Sequence, residues 1–580
     1  MFTYRSNASS RLSDNQINRS SFLLWLLLVG CGAIVSRLAW LQVLYGPENK
    51  LMADQNRIRL VLRPPIRGRL LDRQGVVLAT NSLRYNIYIN PPVTSTSQWP
   101  ELRYRLSKLL HLPSSQIEDH CNQDVKNDDY RISIAKNLSP GQVVKFFERR
   151  KDFENVGLDI ETFRSYPHGS LGAHVMGYTG TIAEKEYSEL KTQGYHIQDR
   201  IGRSGIERAC ESTLRGDWGS RQLEVNAFGE VQRWLGSILP SPGQDIQLTL
   251  DFTLQQAAEK ALRRIKTGAI VAMDPETGAI RAMASGPSFD PNIFSPAPSI
   301  EEWKALNSTK GPLVNRALRG FPPASTFKVV STIAAIESGK YTADSKILSS
   351  RSFCSDGQCY SDHVDRGLID FPTALAISSN TVYYRVGLDL GAAELFKAAY
   401  RMGYGFLTGI ELAAEESPGL LGDGLFKKQQ RRKNWNSVDT IVSAIGQGML
   451  QVTPLQMARL YAAIANGGWL VTPHLVEKPT QRESTGLKPE TLAILHEGLR
   501  NVITKGTATV LNDSSLPHIA GKTGTAENPP YSDHTWFAGY VPAEKPNLVI
   551  VVFCQNSGGF GGTVAAPIAK TLLNTWFQKT

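Results

Sequence analysis

The chain has 580 residues, 41% hydrophobic and 20% charged, which is the composition of an ordinary globular protein with room for at least two separate cores. Lys and Arg total 63 against 53 Asp and Glu, a formal charge of +10 that favours anionic surfaces or substrates without naming one. No zinc-finger spacing and no aromatic motif of the RNA-binding kind accompanies that charge, so no nucleic-acid partner is expected.

The amino terminus carries the clearest local exception, SFLLWLLLVGCGAIVSRLAWLQVLY. From Phe22 to Tyr45 a helix would run roughly 36 Å, enough for a hydrocarbon core of about 30 Å. Arg37 lies near its far end, where a long side chain can reach the headgroups, and Arg5, Arg11 and Arg19 precede it. We therefore expect a cytoplasmic tail at 1–20, a single transmembrane helix at 21–45, and the remainder outside a bacterial cytoplasmic membrane. A cleavable signal, a lipoprotein signal with Cys31 as the lipidated residue, and a buried soluble helix are the other readings. Apolar residues continue past Gly32 into Val35, Leu38 and Trp40, which speaks against the first two.

Residues 50–238 mix strand-like pieces such as LRYNIYINP with charged helical stretches such as AEKEYSELKTQG. PSPGQDIQLTLD reads as a linker running into a strand, and FTLQQAAEKALRRI after it has helical periodicity. GAIVAMDPETGAIRAMASG predicts a hairpin, two apolar runs joined by Asp-Pro-Glu-Thr-Gly. HTWFAGYVP and NLVIVVFCQN predict two more buried strands, and AAPIAKTLLNTWF a closing amphipathic helix. Strands early and late with helices between, and no βαβ alternation, place residues 240–580 in the α+β class, an antiparallel sheet flanked by helices. There is no internal repeat and no Rossmann or Walker fingerprint.

The six cysteines are too few for a disulfide framework. In CSDGQCYSDH, Cys354 and Cys359 are close enough to bridge in an oxidising compartment. Two plain thiols, or a metal site with Asp356, Asp362 and His363, are the alternatives, and the spacing matches no strong zinc pattern. The basic cluster Lys427, Lys428, Arg431, Arg432 and Lys433 reads as a solvated loop.

The chemistry concentrates in PPASTFKVVSTIAAIESGK, where Ser325 and Lys328 stand three residues apart before an apolar run. If the segment after Pro323 is helical the two share a face, and the serine lies in a first turn whose free amides favour negative charge. To act as a base near neutral pH, the lysine must fall from about 10.4 by roughly 3 to 4, a cost of about 4 to 5 kcal/mol. Burial or a second cation can supply that. The spacing alone is weak, since Ser188 and Lys191 repeat it in a charged helix. Downstream, however, lie Ser378-Ser379-Asn380 and Lys522-Thr523-Gly524-Thr525. Ser13-Asp14-Asn15 and Lys266-Thr267-Gly268 repeat these patterns, but only the first set falls in order within one external domain.

Serine-x-x-lysine, serine-x-asparagine and lysine-threonine-glycine in that order mark penicillin-binding proteins and class A β-lactamases. VNRALRGFPPASTFK, SAIGQGMLQVTPLQMARLYAAIANGG, KTGTAE and HTWFAGYVP resemble the transpeptidase domain of class B penicillin-binding proteins. RGRLLDRQGVVLATN, the stretch from Tyr166 to Gly180, and IGRSGIERACESTLRGDWG resemble that family's elongated pedestal, or dimerisation, domain at 50–238. EVNAFGEVQR and PGQDIQLTLD resemble the elongation type more than the division type.

The resemblance implies a D,D-transpeptidase that crosslinks peptidoglycan stem peptides in cell elongation and is acylated by β-lactams. Ser325 would attack the carbonyl between two terminal D-alanines, and Lys328 would take its proton. Ser378 and Lys522 would relay a proton to the leaving D-alanine, with Lys522 lowering the basicity of Lys328 by like charge. Asn380 would bind the substrate's peptide amide and orient Lys328. Thr523 and Thr525 would meet the terminal carboxylate, and the amides of Ser325 and Thr525 would form an oxyanion hole beside Gly524. A membrane-embedded SEDS-type glycosyltransferase and the elongation machinery are the implied partners. No cofactor and no metal is implied here, since Ser379 stands where some elongation-type members use a cysteine for zinc. Ala324 stands where the family usually has glycine, which puts the shape of the nucleophile's turn in question. His534 is expected to be structural, and Asp362 and His363 could line the cleft. A division-type transpeptidase, a β-lactamase and a β-lactam sensor are the competing functions. The anchor and pedestal are superfluous for a freely diffusing hydrolase, and a sensor needs a larger cytoplasmic portion.

Overall fold

The computed structural model describes residues 14–47, 58–89, 94, 96–124, 132–135, 137–225, 231–295, 297–309, 311–422 and 435–578. The basic cluster at 427–433 and the middle of EVNAFGEVQR lie outside them. They form two compact units, one within Met1–Pro65 and Asp217–Ser241, the other within Ile66–Gly216 and Pro242–Thr580.

In the first unit a helix spans Asp14–Ala39 and continues as a π-helical turn over Trp40–Leu44. Its stretch Ser21–Leu44 is long and apolar enough to cross a membrane. Phe22, Trp25, Leu27 and Val35 are all exposed, so the helix is apolar around its whole circumference, as a single-pass membrane anchor is. The guanidinium of Arg37 packs 4.2 Å from the ring centre of Trp40. A three-stranded antiparallel sheet in the same unit orders Ile58–Arg63, Gly219–Val225 and Val231–Ile238.

The second unit begins with the pedestal. LRYNIYI falls in the long strand Val77–Ile89, which pairs antiparallel with Val156–Ser165 and Ile132–Ala135; the Asn90 and Pro91 that follow lie outside the described residues. Ile87, Leu106, Ile117 and Phe146 close a core between this sheet and helices Trp99–Leu110, Ser114–Asp124 and Pro140–Glu148. AEKEYSELKTQG supplies the helix Glu184–Leu190 and a 3-10 turn, with Ser188 and Lys191 exposed, so that pair faces solvent. Nearer the catalytic part, Glu207 is fully buried and accepts bonds from Arg164 Nε at 2.5 Å and Arg67 Nε at 2.6 Å. Burial pushes that carboxyl up, but the two guanidiniums override it and hold it below its usual range.

The catalytic part is built on a five-stranded sheet of β1 (Gly268–Met273), β2 (Ile280–Gly286), β3 (Ala520–Ala526), β4 (His534–Val541) and β5 (Leu548–Cys554), ordered β2-β1-β5-β4-β3 with every pair antiparallel. The predicted hairpin is present: Asp274 Oδ1 accepts from the amides of Glu276 and Thr277, and Gly278 takes φ +83°. Alternate side chains go to opposite faces. Ile270, Ala272, Ile550 and Val552 pack on α1 (Phe252–Ile265) and the closing helix α6 (Ala565–Gln578). Val271, Met273, Val549 and Val551 face a larger cluster with α2 (Lys328–Glu337), α3 (Asn380–Arg401), α4 (Pro454–Ala465) and α5 (Pro489–Thr504). PSPGQDIQLTLD yields only a two-residue strand, Ile246–Gln247, which pairs parallel with Leu70–Leu71. The motif segment AGKTGTA, which carries no strand signal of its own, is the edge strand β3.

Candidate active site

Ser325 is not in the α-helix proper. It stands in a 3-10 turn, Ala324–Phe327, that feeds into α2, and Lys328 is the first residue of that helix. Ser325 is half-buried whereas Lys328 is fully buried. The turn is held from three sides. Ala324 N donates to Gly446 O at 2.8 Å, Thr326 Oγ1 to Pro323 O at 2.5 Å, and Trp536 Nε1 on β4 to Pro322 O at 2.9 Å. β3 runs beside it: a Cβ on Gly524 would stand 3.1 Å from Pro323 O and 3.3 Å from Ala324 Cβ, so glycine there permits the close approach.

The second motif lies where the helix Phe371–Ile377 ends and α3 begins, with Ser378 at φ +57°. Lys328 Nζ is 2.7 Å from Ser378 O, 2.7 Å from Asn380 Oδ1 and 3.3 Å from Ser378 Oγ. From β3, Lys522 Nζ reaches Ser378 Oγ at 2.9 Å and Thr523 O at 3.1 Å. One hydroxyl thus stands between two buried amines. Burial lowers Lys328 to about 7, with the charge of Asp362 acting against it. Lys522 falls well below the ordinary lysine value through burial and then through the charge on Lys328. Burial is the first cause for both amines, and the repulsion between them, which acts on each alike, disfavours a proton on both at once. A neutral Lys328 has two N–H bonds, and the two carbonyl oxygens at 2.7 Å accept both. Its lone pair is left for another proton.

Of the remaining motif residues, Thr523 Oγ1 lies 2.6 Å from Thr507 Oγ1, and Thr525 Oγ1 accepts from Gly561 N at 3.2 Å. β3 is the outer strand of its sheet, so one row of its backbone groups has no ladder partner. His534 opens β4, is buried, and accepts from Asn556 N at 3.0 Å, a structural role. Lys266 precedes β1 and is exposed.

Residues 268–574 match the penicillin-binding protein transpeptidase domain, and residues 62–248 the penicillin-binding protein dimerisation domain. The chain belongs to the class B penicillin-binding proteins. Among relatives, it is similar to the peptidoglycan D,D-transpeptidase MrdA of Acinetobacter baumannii, at 32% identity over 96% of this chain and 87% of that protein. A solved peptidoglycan synthase complex that coordinates polymerization and crosslinking includes a chain 32% identical to it, with TM-score 0.75 over 97% of this chain and 99% of that one. A penicillin-binding protein solved in complex with MreC from Helicobacter pylori shares the fold, with TM-score 0.80 at 24% identity over 90% of this chain and 99% of that one. This penicillin-binding protein is therefore of the elongation type, a serine acyl-transfer enzyme, and the division-type alternative is not favoured.

Two departures from the family pattern can now be placed. Ala324 takes φ +51°, the left-handed region, so the backbone keeps a glycine-like turn at the expense of strain. Ala324→Gly is expected to stabilise the protein by about 0.5 to 1 kcal/mol, after the extra chain entropy of glycine is subtracted. A higher thermal-unfolding midpoint with penicillin labelling retained is the readout. The second departure concerns zinc. Cys354 and Cys359 are joined in a disulfide, which resolves the alternatives left open by their spacing. Ser379 offers a hydroxyl, a poor zinc ligand, and it donates to Asp362 Oδ2 at 2.8 Å; His363 is exposed. This donor set does not fit zinc. Among the described residues no three His, Cys, Asp or Glu side chains converge.

Sequence reasoning missed Gly446, Thr381 and Ser349, which contact the turns that carry Ser325 and Ser378 or the residues beside them. The only signal for Thr381 was its place directly after Asn380.

Proposed function

We propose that Ser325 is the nucleophile of a peptidoglycan D,D-transpeptidase and Lys328 its general base. The carrying observation is the buried amine near pKa 7, its two N–H bonds already committed to Ser378 O and Asn380 Oδ1, one turn from Ser325. Ser325 Oγ gives its proton to Lys328 Nζ and attacks the carbonyl between two D-alanines. The C–N bond breaks, and Ser378, bridged to Lys522, passes a proton to the departing D-alanine nitrogen. Asn380 and the free edge of β3, with Thr523, Gly524 and Thr525, hold the peptide in extended form. Backbone amides of Ser325 and Thr525 receive the oxyanion. An amine of a second stem peptide then takes the acyl group, restoring the Ser325 hydroxyl and leaving a crosslink. β-Lactams acylate the same oxygen.

The anchor begins after a cytoplasmic tail of residues 1–20 that carries Arg5, Arg11 and Arg19, and places the pedestal (50–238) and transpeptidase domain (240–580) in the periplasm or outside the cell. The Cys354–Cys359 disulfide supports an oxidising compartment. A SEDS-type glycosyltransferase and the elongation machinery are the partners, a reading supported by the synthase-complex relative and the MreC-bound fold neighbour. Intact-mass and peptide mapping after penicillin treatment test the assignment: one penicillin mass is expected on Ser325. An adduct elsewhere would remove Ser325 from its role, and rapid turnover of nitrocefin would make the enzyme a β-lactamase.

A further inference from the structure

Asp362 follows a disulfide-closed hairpin, Ser352–Ser355 with Gln358–Ser361, whose base is joined by Asp362 N donating to Arg351 O at 2.8 Å. Its carboxylate Oδ2 accepts hydrogen bonds from the turn that carries the second motif, from Ser379 Oγ at 2.8 Å and Thr381 N at 2.8 Å, and lies 3.1 Å from Thr381 Oγ1, whose single proton it shares with Ser350 O at 2.9 Å. The segment leading into the hairpin grips the same turn, with Ser350 N donating to Thr381 Oγ1 at 3.1 Å and Ser349 Oγ 3.0 Å from Ser379 Oγ. Ser378 and Asn380, the two partners of Lys328, flank Ser379, so whatever fixes Ser379 and Thr381 fixes the oxygens that orient the base. We propose that Asp362 is a positioning residue for the known reaction: its carboxylate clamps the Ser378–Asn380 turn against Lys328, and its negative charge opposes that of the lysine.

The proposal rests on the reading of Lys328 as base. Hydrogen bonds to a charged acceptor are stronger and shorter than neutral contacts, which suits a turn whose Ser378 is held in a left-handed conformation. The groups facing Lys328 are few: Lys522 from β3, the ring of Tyr383 from α3 at 5.6 Å, and Asp362. Tyr383 stays neutral, its hydroxyl 2.8 Å from Thr332 Oγ1 and its acidity suppressed by burial. Asp362 is thus the one anion acting on the pair of amines among the described residues. Its charge favours the protonated lysine, so removing it moves deprotonation of Lys328 to lower pH.

Acylation by a fluorescent penicillin, measured as a second-order rate from pH 5.5 to 9 on the full-length protein in detergent, reads both effects. In Asp362→Asn the rising limb is expected at lower pH than in the parent, and the high-pH plateau falls about tenfold as the turn loosens. In Ser379→Ala/Thr381→Ala, which keeps the carboxylate and removes side-chain donors, the plateau falls similarly while the limb stays in place. An Asp362→Asn limb that coincides with the parent's leaves only a structural role and overturns the proposal. Should Asp362→Asn fail to fold, an unchanged plateau in the double variant overturns the clamp and a lowered one with its limb in place upholds it.

Discussion

Lys328→Arg is expected to lower the acylation rate by a fluorescent penicillin by at least about a thousandfold, some 4 kcal/mol of barrier, while the protein remains folded. A guanidinium keeps the positive charge and the donors that Ser378 O and Asn380 Oδ1 need, but it does not give up a proton in a protein. The variant therefore separates the base from the scaffold. In the parent the same logic fixes the pH dependence. Lysine ordinarily holds its proton to above pH 10, and burial lowers Lys328 to about 7, so the reactive neutral form grows as pH rises through 7. Below that point the rate should drop about tenfold for each pH unit. A flat profile between pH 5.5 and 8, or an arginine variant that still labels at a normal rate, would remove Lys328 from its role.

Gly446→Ala should be the most damaging methyl group that can be added near Ser325. Gly446 takes φ +77°, and a Cβ there would lie 2.1 Å from Ala324 O and 2.7 Å from Phe327 Cβ. Backbone cannot swing aside as a flexible side chain can, so Ala324 must move. Gly446 O is also the acceptor for Ala324 N, so the clash pulls on the same turn it props. We expect a loss of about 3 kcal/mol or more in stability and at least a hundredfold in acylation. Thermal unfolding and penicillin labelling, compared with a matched substitution at Gly339, separate the local effect from a general one: Gly339 has a similar φ of +76° and nothing within 4 Å of its would-be Cβ.

The five side chains Ser325, Lys328, Ser378, Asn380 and Lys522 were legible because short motifs in a fixed order carry them; the last four form one hydrogen-bonded cluster, and Ser325 stands one turn from Lys328. Their surroundings were not. Asp362 meets Ser379 across 17 residues, and Gly446 meets Ala324 across more than a hundred, so no local pattern links either pair. The strands of the sheet core were visible as apolar runs. β3 was hidden because glycines occupy positions where close neighbours leave no room for a side chain: a Cβ on Gly521 would stand 2.7 Å from Phe537 Cζ and 2.8 Å from Ala538 O. Tertiary crowding, not intrinsic preference, makes that segment a strand. The basicity of Lys328 could be argued from its apolar neighbours, but the full burial of Lys522 beside it, which lowers that amine as well, is a property of the three-dimensional fold.

The sheet of Ile58–Arg63, Gly219–Val225 and Val231–Ile238 draws its first strand from the anchor side of the sequence and the other two from some 160 residues later. A soluble fragment trimmed just after residue 65 would keep the later hairpin while deleting the strand that completes it. Gly219–Val225 would then show a bare flank of amides and carbonyls, an invitation to self-association. Shortened versions meant for inhibitor screening are better cut ahead of Ile58.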